Sequence, residues 1–245
     1  MNSSNRCVVP EALDNLAADD PRGLRSRRDL QRVHRAMRSV AILLHAIAKL
    51  RLRAPPVRIL ELGAGDGTLL LRFARALRPR WSGVELTLLD RHDLVTEKTR
   101  GAYRKLGWRV TVLRADALEW AALRRDRHYD LCLANLFLHH FDAADLGVLL
   151  RAVAAATNAF VACEPRRSGF ARFGSRLVAF LGANGVTRED AVKSVAAGFS
   201  GRELSSAWTS AAGEWIVEEF LAMPFTHCFA AVRAAAHADG GAHGV

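Results

Sequence analysis

The sequence is poor in several features that mark particular classes of protein. Only four of its 35 basic residues are lysine, and its four cysteines form no CxxC pair and have no histidine at zinc-ligand spacing. The number and spacing of the cysteines argue against a structural zinc site and a disulfide scaffold. We expect Cys132 and Cys163, which lie in apolar runs, to be buried free thiols.

Long hydrophobic runs are also missing. The longest apolar stretch, SVAILLHAIAKL, is too short to cross a bilayer and contains His45 and Lys49. The first residues lack the basic-then-apolar pattern of a secretion signal. The sequence therefore predicts a cytoplasmic protein without a transmembrane segment.

Arginine and apolar residues are abundant instead. The 245 residues carry a formal net charge of +10, and 50% of them are hydrophobic. This size and composition predict one large domain with a sizeable core. The charge would suit nucleic acid or an anionic membrane as a partner, but the arginines are spread along the chain rather than gathered in one run. We interpret them as a solvated surface, which makes nucleic acid an unfavoured partner.

Hydrophobic periodicity indicates an α/β fold. Residues 27–50 have one apolar stripe at helical spacing, and the APP segment at 54–56 ends that pattern. From Val57 to Pro165, short apolar runs alternate with helical patterns, which predicts a parallel sheet with helices on both faces. The predicted strands are 57–62, 83–90, 109–116, one within 129–140, and 159–165, and the predicted helices between them are 67–77, 94–107 and 145–157.

After Pro165 the alternation stops. The pattern predicts helices over 171–182, 187–199 and 200–208, with Thr187 and Asp190 as the N-cap pair of the middle one. Residues 214–222 and 226–234 are predicted to form a strand hairpin. We therefore predict an N-terminal helical cap over 1–54, a main domain over 55–235 that includes a helical insertion over 166–213, and a flexible tail over 236–245.

A glycine-rich loop follows the first predicted strand. It reads Glu61-x-Gly63-x-Gly65-x-Gly67 and precedes a helix, and glycines at such a turn let a ligand approach the backbone. The dinucleotide pattern GxGxxG would require glycine where Thr68 stands, and a P-loop would require a lysine that the loop lacks. The acid and the absence of basic residues suit a cationic ligand better than a pyrophosphate.

This loop resembles the E/DxGxGxG motif of class I S-adenosylmethionine-dependent methyltransferases. Asp90 and Asp116, at the ends of the second and third predicted strands, strengthen the resemblance, which covers roughly Val57 to Ala234. It implies a Rossmann-like sheet of seven mostly parallel strands, with the last strand antiparallel and inserted beside its neighbour, plus N-terminal helices and a helical insertion after strand five. The segments NLFLHHF and EPRRS are further similar to those of bacterial small-molecule methyltransferases of polyketide, phenolic-lipid or quinone biosynthesis.

The resemblance implies S-adenosylmethionine as the cofactor and S-adenosylhomocysteine as its product. Asp90 is the expected acceptor of the ribose hydroxyls. Asp116 is expected to contact the adenine amino group, with the N–H of Ala117 available to the ring. No metal ligand is predicted. The predicted cofactor-binding residues are Glu61, Gly63, Ala64, Gly65, Gly67, Asp90, Arg91, Asp116, Ala117 and Asn135.

Two histidines follow the fourth predicted strand. Either His139 or His140 could deprotonate a phenol, and His140 is favoured, although either ring could instead pack or cap the next helix. Glu164, at the end of strand five, is a second candidate that could orient a histidine or bind the acceptor, or could pair with a neighbouring arginine.

The predicted reaction is methyl transfer to a hydroxyl, or a ring carbon, of a hydrophobic aromatic or polyketide-like small molecule by a monomer or homodimer. The insertion over 166–213 would cover the acceptor pocket. Asn135-Leu136-Phe137-Leu138 replaces the [N/D]PP[Y/F] of adenine-methylating enzymes. Two alternatives stay open: an RNA or protein methyltransferase, favoured by the basic charge, and a non-catalytic cofactor-binding or scaffolding protein of the same fold. A closed apolar pocket would argue against the first of these.

Overall fold

A computed structural model describes residues 5–17, 19–78, 80–123, 128–176, 182–208 and 214–237. Within these ranges seven strands form one sheet: β1 Arg58–Leu62, β2 Glu85–Asp90, β3 Arg109–Arg114, β4 Leu131–Asn135, β5 Ala159–Pro165, β6 Trp215–Ala222 and β7 Thr226–Arg233. The α-helices in the same ranges are α1 Pro21–Ala36, α2 Ser39–Lys49, α3 Thr68–Leu77, α4 Glu97–Arg104, α5 Ala117–Ala122, α6 Ala143–Ala156, α7 Gly169–Arg176, α8 Gly185–Ala197 and α9 Glu203–Trp208.

The strand order confirms the predicted fold class. The order is β3-β2-β1-β4-β5-β7-β6, and β1 to β5 pair in parallel. Strand β7 is antiparallel to both neighbours and lies between β5 and β6. The predicted terminal hairpin is confirmed, and the sequence places the carboxyl ends of β1 to β5 at one edge, where open α/β sheets bind ligands.

Side chains alternate between the two faces of the sheet because successive residues of a strand point in opposite directions. Ile59 packs in the core with α2, α3 and α4, whereas Leu60, the next residue, packs with α5, α6 and α9. Both are fully buried. The sheet is therefore covered by helices on both faces, as its apolar strands require.

The N-terminal helices occupy two different places. Helix α2 contacts β5, β7 and α3, and its buried Leu43 and Ala46 belong to the same core as Ile59. Helix α1 contacts α8, α2 and α3, and several of its residues line a cavity at the carboxyl edge of the sheet. Thus α2 is packed as part of the cover of the sheet, while α1 lies at its carboxyl edge.

The predicted start of α8 is wrong. The N-cap is Asn184, whose Oδ1 accepts a hydrogen bond from the Thr187 N–H at 2.9 Å. Asp190 is not a capping residue, since its carboxylate accepts hydrogen bonds from Ala12 and Leu13, far away in sequence. An asparagine is as good an N-cap as a threonine, and nothing local reveals the distant partners of Asp190.

Several smaller predictions have mixed outcomes. Cys132 and Cys163 are buried free thiols, as expected. The helix predicted over 171–182 runs beyond α7 into residues 177–181, outside the described residues. Most of the tail predicted over 236–245 also lies outside them, while His237 hydrogen-bonds the Leu50 carbonyl at 2.8 Å. No helix in the described part of the chain is both long and apolar enough to span a membrane.

Candidate active site

A large cavity lies at the carboxyl edge of the sheet. Its volume is about 870 Å³, near the upper end of the roughly 300–1,000 Å³ of small-molecule sites. One wall is the glycine loop with the ends of β1 to β4. The other wall is formed by α1, α7, α8 and the segment 6–15, which has no regular structure until a 3₁₀ turn over Leu13–Asn15 and which we call the N-terminal strap.

Most of the predicted cofactor residues come together on the first wall. Gly67 does not line the cavity: it is the N-cap of α3 with φ of 69°, and its carbonyl accepts a hydrogen bond from Tyr103. The predicted residues that do line the cavity are Glu61, Gly63, Ala64, Gly65, Asp90, Arg91, Asp116, Ala117 and Asn135.

The first two glycines of the loop serve different purposes. Both have positive φ, 65° at Gly63 and 54° at Gly65, a conformation that side chains disfavour. A Cβ on Gly63 would lie 2.2 Å from the Phe137 ring, so glycine is required there for packing. A Cβ on Gly65 would meet nothing within 4 Å, so this backbone is open to a ligand.

Two buried polar atoms of this wall lack partners among the described residues. They are Oε2 of Glu61, a residue only 5% exposed, and Nδ2 of Asn135. Burial, reinforced by the charges of Asp66 and Asp90, holds the pKa of Glu61 well above its ordinary value. Unpaired buried polar groups are costly. A ligand with a cationic group and a hydrogen-bond acceptor would satisfy both, which fits the ammonium-bearing cofactor implied by the glycine loop.

The acids after β2 and β3 are held by backbone amides. Asp90 accepts hydrogen bonds from the N–H of Gly65 at 2.8 Å and of His92 at 2.9 Å, one on each oxygen. Asp116 caps α5 by accepting from Leu118 at 2.7 Å. Carboxylate oxygens accept more than one hydrogen bond, so both acids keep capacity for a ligand. Their contacts with ribose and adenine stay predictions.

Helix α1 contributes residues that the sequence did not indicate. Gln31 Nε2 donates to Asp66 Oδ2 at 2.5 Å, which ties α1 to the glycine loop. His34 also lines the cavity, and burial lowers its pKa to about 4, so it is neutral at physiological pH. Nothing near Gln31 in the sequence indicates this contact, because its partner lies 35 residues later on another element.

The turn after β4 carries the two histidines. Leu136 has φ of 52°, which is uncommon for a branched side chain, and a 3₁₀ turn follows over Leu138–His140. Glu164 Oε1 accepts from the N–H groups of Phe137 at 3.0 Å and Leu138 at 2.9 Å. The fully buried Glu164 thus holds this turn from the sheet side, and it does not itself line the cavity.

His139 is held between two carboxylates. Its Nδ1 lies 2.8 Å from Glu164 Oε2, and its Nε2 lies 3.3 Å from Oε1 of Glu11 in the strap. Burial lowers the pKa of His139, but the hydrogen bonds and charges of Glu11 and Glu164 outweigh it and raise that pKa to about 9. His139 is therefore an imidazolium near neutral pH and has no lone pair with which to accept a proton.

His140 has a different environment. It lines the cavity with a quarter of its side chain exposed, and its Nδ1 lies 3.2 Å from Asp14 Oδ2 in the strap. Asp14 also lies 3.5 Å from Arg91. Sequence reasoning missed Glu11 and Asp14, since a short N-terminal segment without a periodic pattern offers no local signal of its distant partners.

The charges that line the cavity are mostly negative. Among the described residues, the lining includes two arginines, Arg27 and Arg91, and no lysine. Glu11, His139 and His140 each place a ligand atom within 4.8 Å of the other two, a spacing at which a metal ion could be held. The prediction of no metal ligand stays a prediction. The acids in the lining are Glu11, Asp14, Glu61, Asp66, Asp90, Asp116, Asp145 and Asp190.

Comparison with known proteins agrees with this geometry. Residues 59–159 match the model of a family described as a methyltransferase domain. No curated protein matches the chain. The matched residues contain the glycine loop, Asp90, Asp116 and both histidines.

Three solved structures illustrate the similarity of fold. The plantazolicin methyltransferase BpumL, in complex with S-adenosylhomocysteine, is 14% identical with a TM-score of 0.62, covering 88% of this chain and 91% of that one. The methyltransferase domain of bacterial CtHen1-C is 11% identical with a TM-score of 0.57, covering 81% and 98%. The pyocyanin biosynthetic protein PhzM is 20% identical with a TM-score of 0.55, covering 88% of this chain and 60% of that one.

The resemblance seen in the glycine loop is therefore confirmed, together with the predicted enzyme class and its cofactor, S-adenosylmethionine. Residues 59–159 of this chain thus match a methyltransferase domain, and the sheet that they help to form has the strand order of the class I, Rossmann-like methyltransferase fold.

Proposed function

We propose that this chain transfers a methyl group from S-adenosylmethionine to a hydroxyl of a hydrophobic aromatic or polyketide-like small molecule, as part of secondary metabolite biosynthesis. His140 is the general base. The observation that carries this proposal is the position of His140, which lines the same cavity as the open Gly65 backbone and is backed by a carboxylate. We expect a cytoplasmic monomer or homodimer.

Apolar side chains form much of the acceptor side of the cavity, beside the acids Glu11, Asp14 and Asp190, and they support a hydrophobic acceptor. Aromatic rings favour edge and offset contacts with the faces of other rings, and small-molecule sites combine such walls with a few placed polar groups. The apolar residues that line this side include Val8, Val9, Pro10, Leu13, Leu30, Met37, Phe137, Phe141 and Phe225.

The charge of the lining argues against RNA as the acceptor. Nucleic-acid sites neutralise phosphates with arginine and lysine, but eight carboxylates and two arginines line this cavity within the described ranges. The formal net charge of +10 must therefore be carried elsewhere on the molecule. The scaffolding alternative is disfavoured because the unpaired Glu61 and Asn135 atoms are costly unless a ligand uses them.

The chemistry divides between ligand and protein. When bound, S-adenosylmethionine supplies a methyl carbon activated by positively charged sulfur, and S-adenosylhomocysteine is the product. Glu61, Asp90 and Asp116 would hold it at the strand ends. His140 would accept the hydroxyl proton as the O–C bond forms and the bond between sulfur and the methyl carbon breaks, which leaves a neutral ether, the neutral thioether of S-adenosylhomocysteine and an imidazolium. The same deprotonation would activate a ring carbon beside a phenol, so product structure separates the two outcomes.

The test begins with binding. We would titrate the purified protein with S-adenosylhomocysteine in a calorimeter, with NAD as the control. We expect micromolar binding of S-adenosylhomocysteine and no binding of NAD. If the folded protein binds neither, the scaffolding alternative is favoured.

Acceptor class is then tested with radiolabelled S-adenosylmethionine. The probes are 5-alkylresorcinols of increasing chain length, a hydrophilic catechol, and total RNA, each with and without EDTA. Methylation that rises with chain length, is absent with RNA and is insensitive to EDTA supports the proposal. Preferential labelling of RNA would overturn the acceptor class, and loss of activity in EDTA would overturn the prediction of no metal.

A further inference from the structure

The N-terminal strap is fastened to α8 at several points along its length. Arg6 Nε donates to the Ala197 carbonyl at 2.9 Å. Near the other end, the N–H groups of Ala12 and Leu13 donate to the Asp190 carboxylate at 2.8 and 3.0 Å. These contacts define the path of the strap across the cavity. Glu11 also accepts a hydrogen bond from Ser194 of α8, but carboxylate oxygens accept more than one hydrogen bond, so Glu11 and Asp14 can both make further contacts.

Both acids contact the histidines of the turn after β4. Glu11 lies 3.3 Å from His139, and Asp14 lies 3.2 Å from His140. These contacts join segments well over a hundred residues apart in the chain. The strap thus does more than cover the cavity, because it supplies one carboxylate to each ring.

The two rings differ in what they can do. Both nitrogens of His139 face carboxylates, so this ring links Glu164 of β5 to Glu11 of the strap. Only Nδ1 of His140 has a side-chain partner among the described residues. In a neutral imidazole, the proton resides on the nitrogen that faces a carboxylate, and the other nitrogen keeps its lone pair.

Asp14 also contacts the cofactor wall. Its Oδ1 lies 3.5 Å from Arg91, the residue after Asp90. The contact with His140, followed by the charges of His140 and Arg91, lowers the pKa of Asp14 although burial opposes this. Asp14 is therefore ionised near neutral pH, and it connects the strap to the cofactor wall through Arg91.

We propose that Asp14 is a positioning residue: it holds His140 as the Nδ1–H tautomer, with Nε2 left to accept the proton of the acceptor, so that the strap completes the active site. The proposal rests on the function proposed above, because it assigns His140 the role of base. A carboxylate that orients a catalytic imidazole is an established arrangement in other enzymes. Here the carboxylate comes from a segment far outside the matched methyltransferase domain.

The direct test is the tautomer of His140. We would record long-range ¹H–¹⁵N spectra of protein labelled in its imidazole rings, at pH values where the His140 ring is neutral, with the signal assigned from His140→Gln. The wild type should be the Nδ1–H tautomer. In Asp14→Asn, the share of the Nε2–H tautomer should rise by about tenfold or more, because a charge-assisted contact is lost and an amide can donate to Nδ1. Asp14→Glu should restore the wild-type tautomer.

Asp190→Asn is the matched control. It makes the same carboxylate-to-amide change in the anchor of the strap and leaves the acid at His140 in place, so the wild-type tautomer should persist. An unchanged tautomer in Asp14→Asn would overturn the proposal. An equal change in both variants would also overturn it, since the order of the strap would then set the ring.

Activity supplies an independent readout. With an alkylresorcinol acceptor, Asp14→Asn should lower kcat by about tenfold or more with KM and S-adenosylhomocysteine affinity within about twofold. A loss confined to KM would contradict a positioning role. If the wild type methylates no phenol, the acceptor class of the proposed function fails, and the tautomer measurements still decide the role of Asp14.

Discussion

The two walls of the cavity are built in different ways. The cofactor wall consists of strand ends and the loops after them, within residues 61–135, and its acids after β2 and β3 are held by backbone amides. The acceptor wall is assembled from the strap, α1, α7 and α8, whose contacts join residues more than a hundred positions apart. The first wall follows from local motifs on a sheet, whereas the second depends on how distant segments pack.

This difference also concerns function. A wall fixed by a sheet suits a ligand that many enzymes share, and segments added around a common fold are where specificity arises. The histidines lie at the junction, since Glu164 holds them from the sheet side while Glu11 and Asp14 hold them from the strap. The following predictions probe whether the walls act separately, from the largest expected effect to the smallest.

His140→Gln should have the largest effect, and it should lower turnover without changing the affinity for the cofactor product. Loss of a general base lowers turnover by about 10²- to 10⁴-fold, while calorimetric affinity for S-adenosylhomocysteine should stay within about twofold. His45→Gln, a histidine on α2 away from the cavity, is the control. Full turnover in His140→Gln would show that His140 is not the general base. Both histidines would then have only structural roles.

His139 should affect stability rather than proton transfer. Its contacts with Glu11 and Glu164 raise its pKa to about 9 against an ordinary 6.5. A raised pKa contributes stability that is fully present below pH 6.5 and is lost as pH rises through about 9. The difference corresponds to on the order of 3 kcal/mol.

We would measure the free energy of unfolding in urea from pH 6 to about 10 for wild type and His139→Gln. The stability difference between the two proteins should shrink as the pH rises through about 9, because only the wild type loses a charged contact. The groups that face His139 are Glu164 from β5, Glu11 from the strap and the neighbouring His140, and they are common to both proteins. Parallel pH profiles would mean that the strap is not tied by an imidazolium.

The sequence was informative where function follows from local pattern. The strand-and-helix alternation predicted the sheet, and Glu61-x-Gly-x-Gly-x-Gly predicted the loop that lines the cavity. Glu164, at the end of the fifth predicted strand, was recognised as a residue that could orient a histidine, and it contacts His139. Even the missed capping residue, Asn184, follows a known preference that could have been applied.

The strap could not have been found in the same way. Glu11 and Asp14 lie in a short segment with no periodic pattern. Their role depends on contacts with His139 and His140, which a single sequence cannot connect to them. Asp190 misled for a related reason, because its spacing from Thr187 suggested a local cap while its partners are amides of the strap. Long-range side-chain contacts carry no local signal.

Asp90→Ala tests the cofactor wall by itself. Removing a carboxylate that accepts from Gly65 and His92 should weaken S-adenosylhomocysteine binding by about 1–3 kcal/mol. Asp93→Ala, a half-exposed acid paired with Arg100, is the control and should bind normally. Unchanged affinity in Asp90→Ala would exclude Asp90 from the cofactor site.

Gln31→Ala tests whether the two walls communicate, and it should have the smallest effect. Gln31 lies on α1, on the acceptor side, but donates to Asp66 in the glycine loop at 2.5 Å. Losing one hydrogen bond to a charged group should weaken S-adenosylhomocysteine binding by about 0.5–1.5 kcal/mol, roughly two- to tenfold. Arg25→Ala, an exposed change on the same helix, should leave affinity unaltered. If Gln31→Ala also binds normally, the cofactor wall is independent of α1, and the acceptor wall could be exchanged without disturbing it. If binding weakens as expected, α1 belongs to both walls, and a change of acceptor specificity there would carry a measurable cost in cofactor affinity.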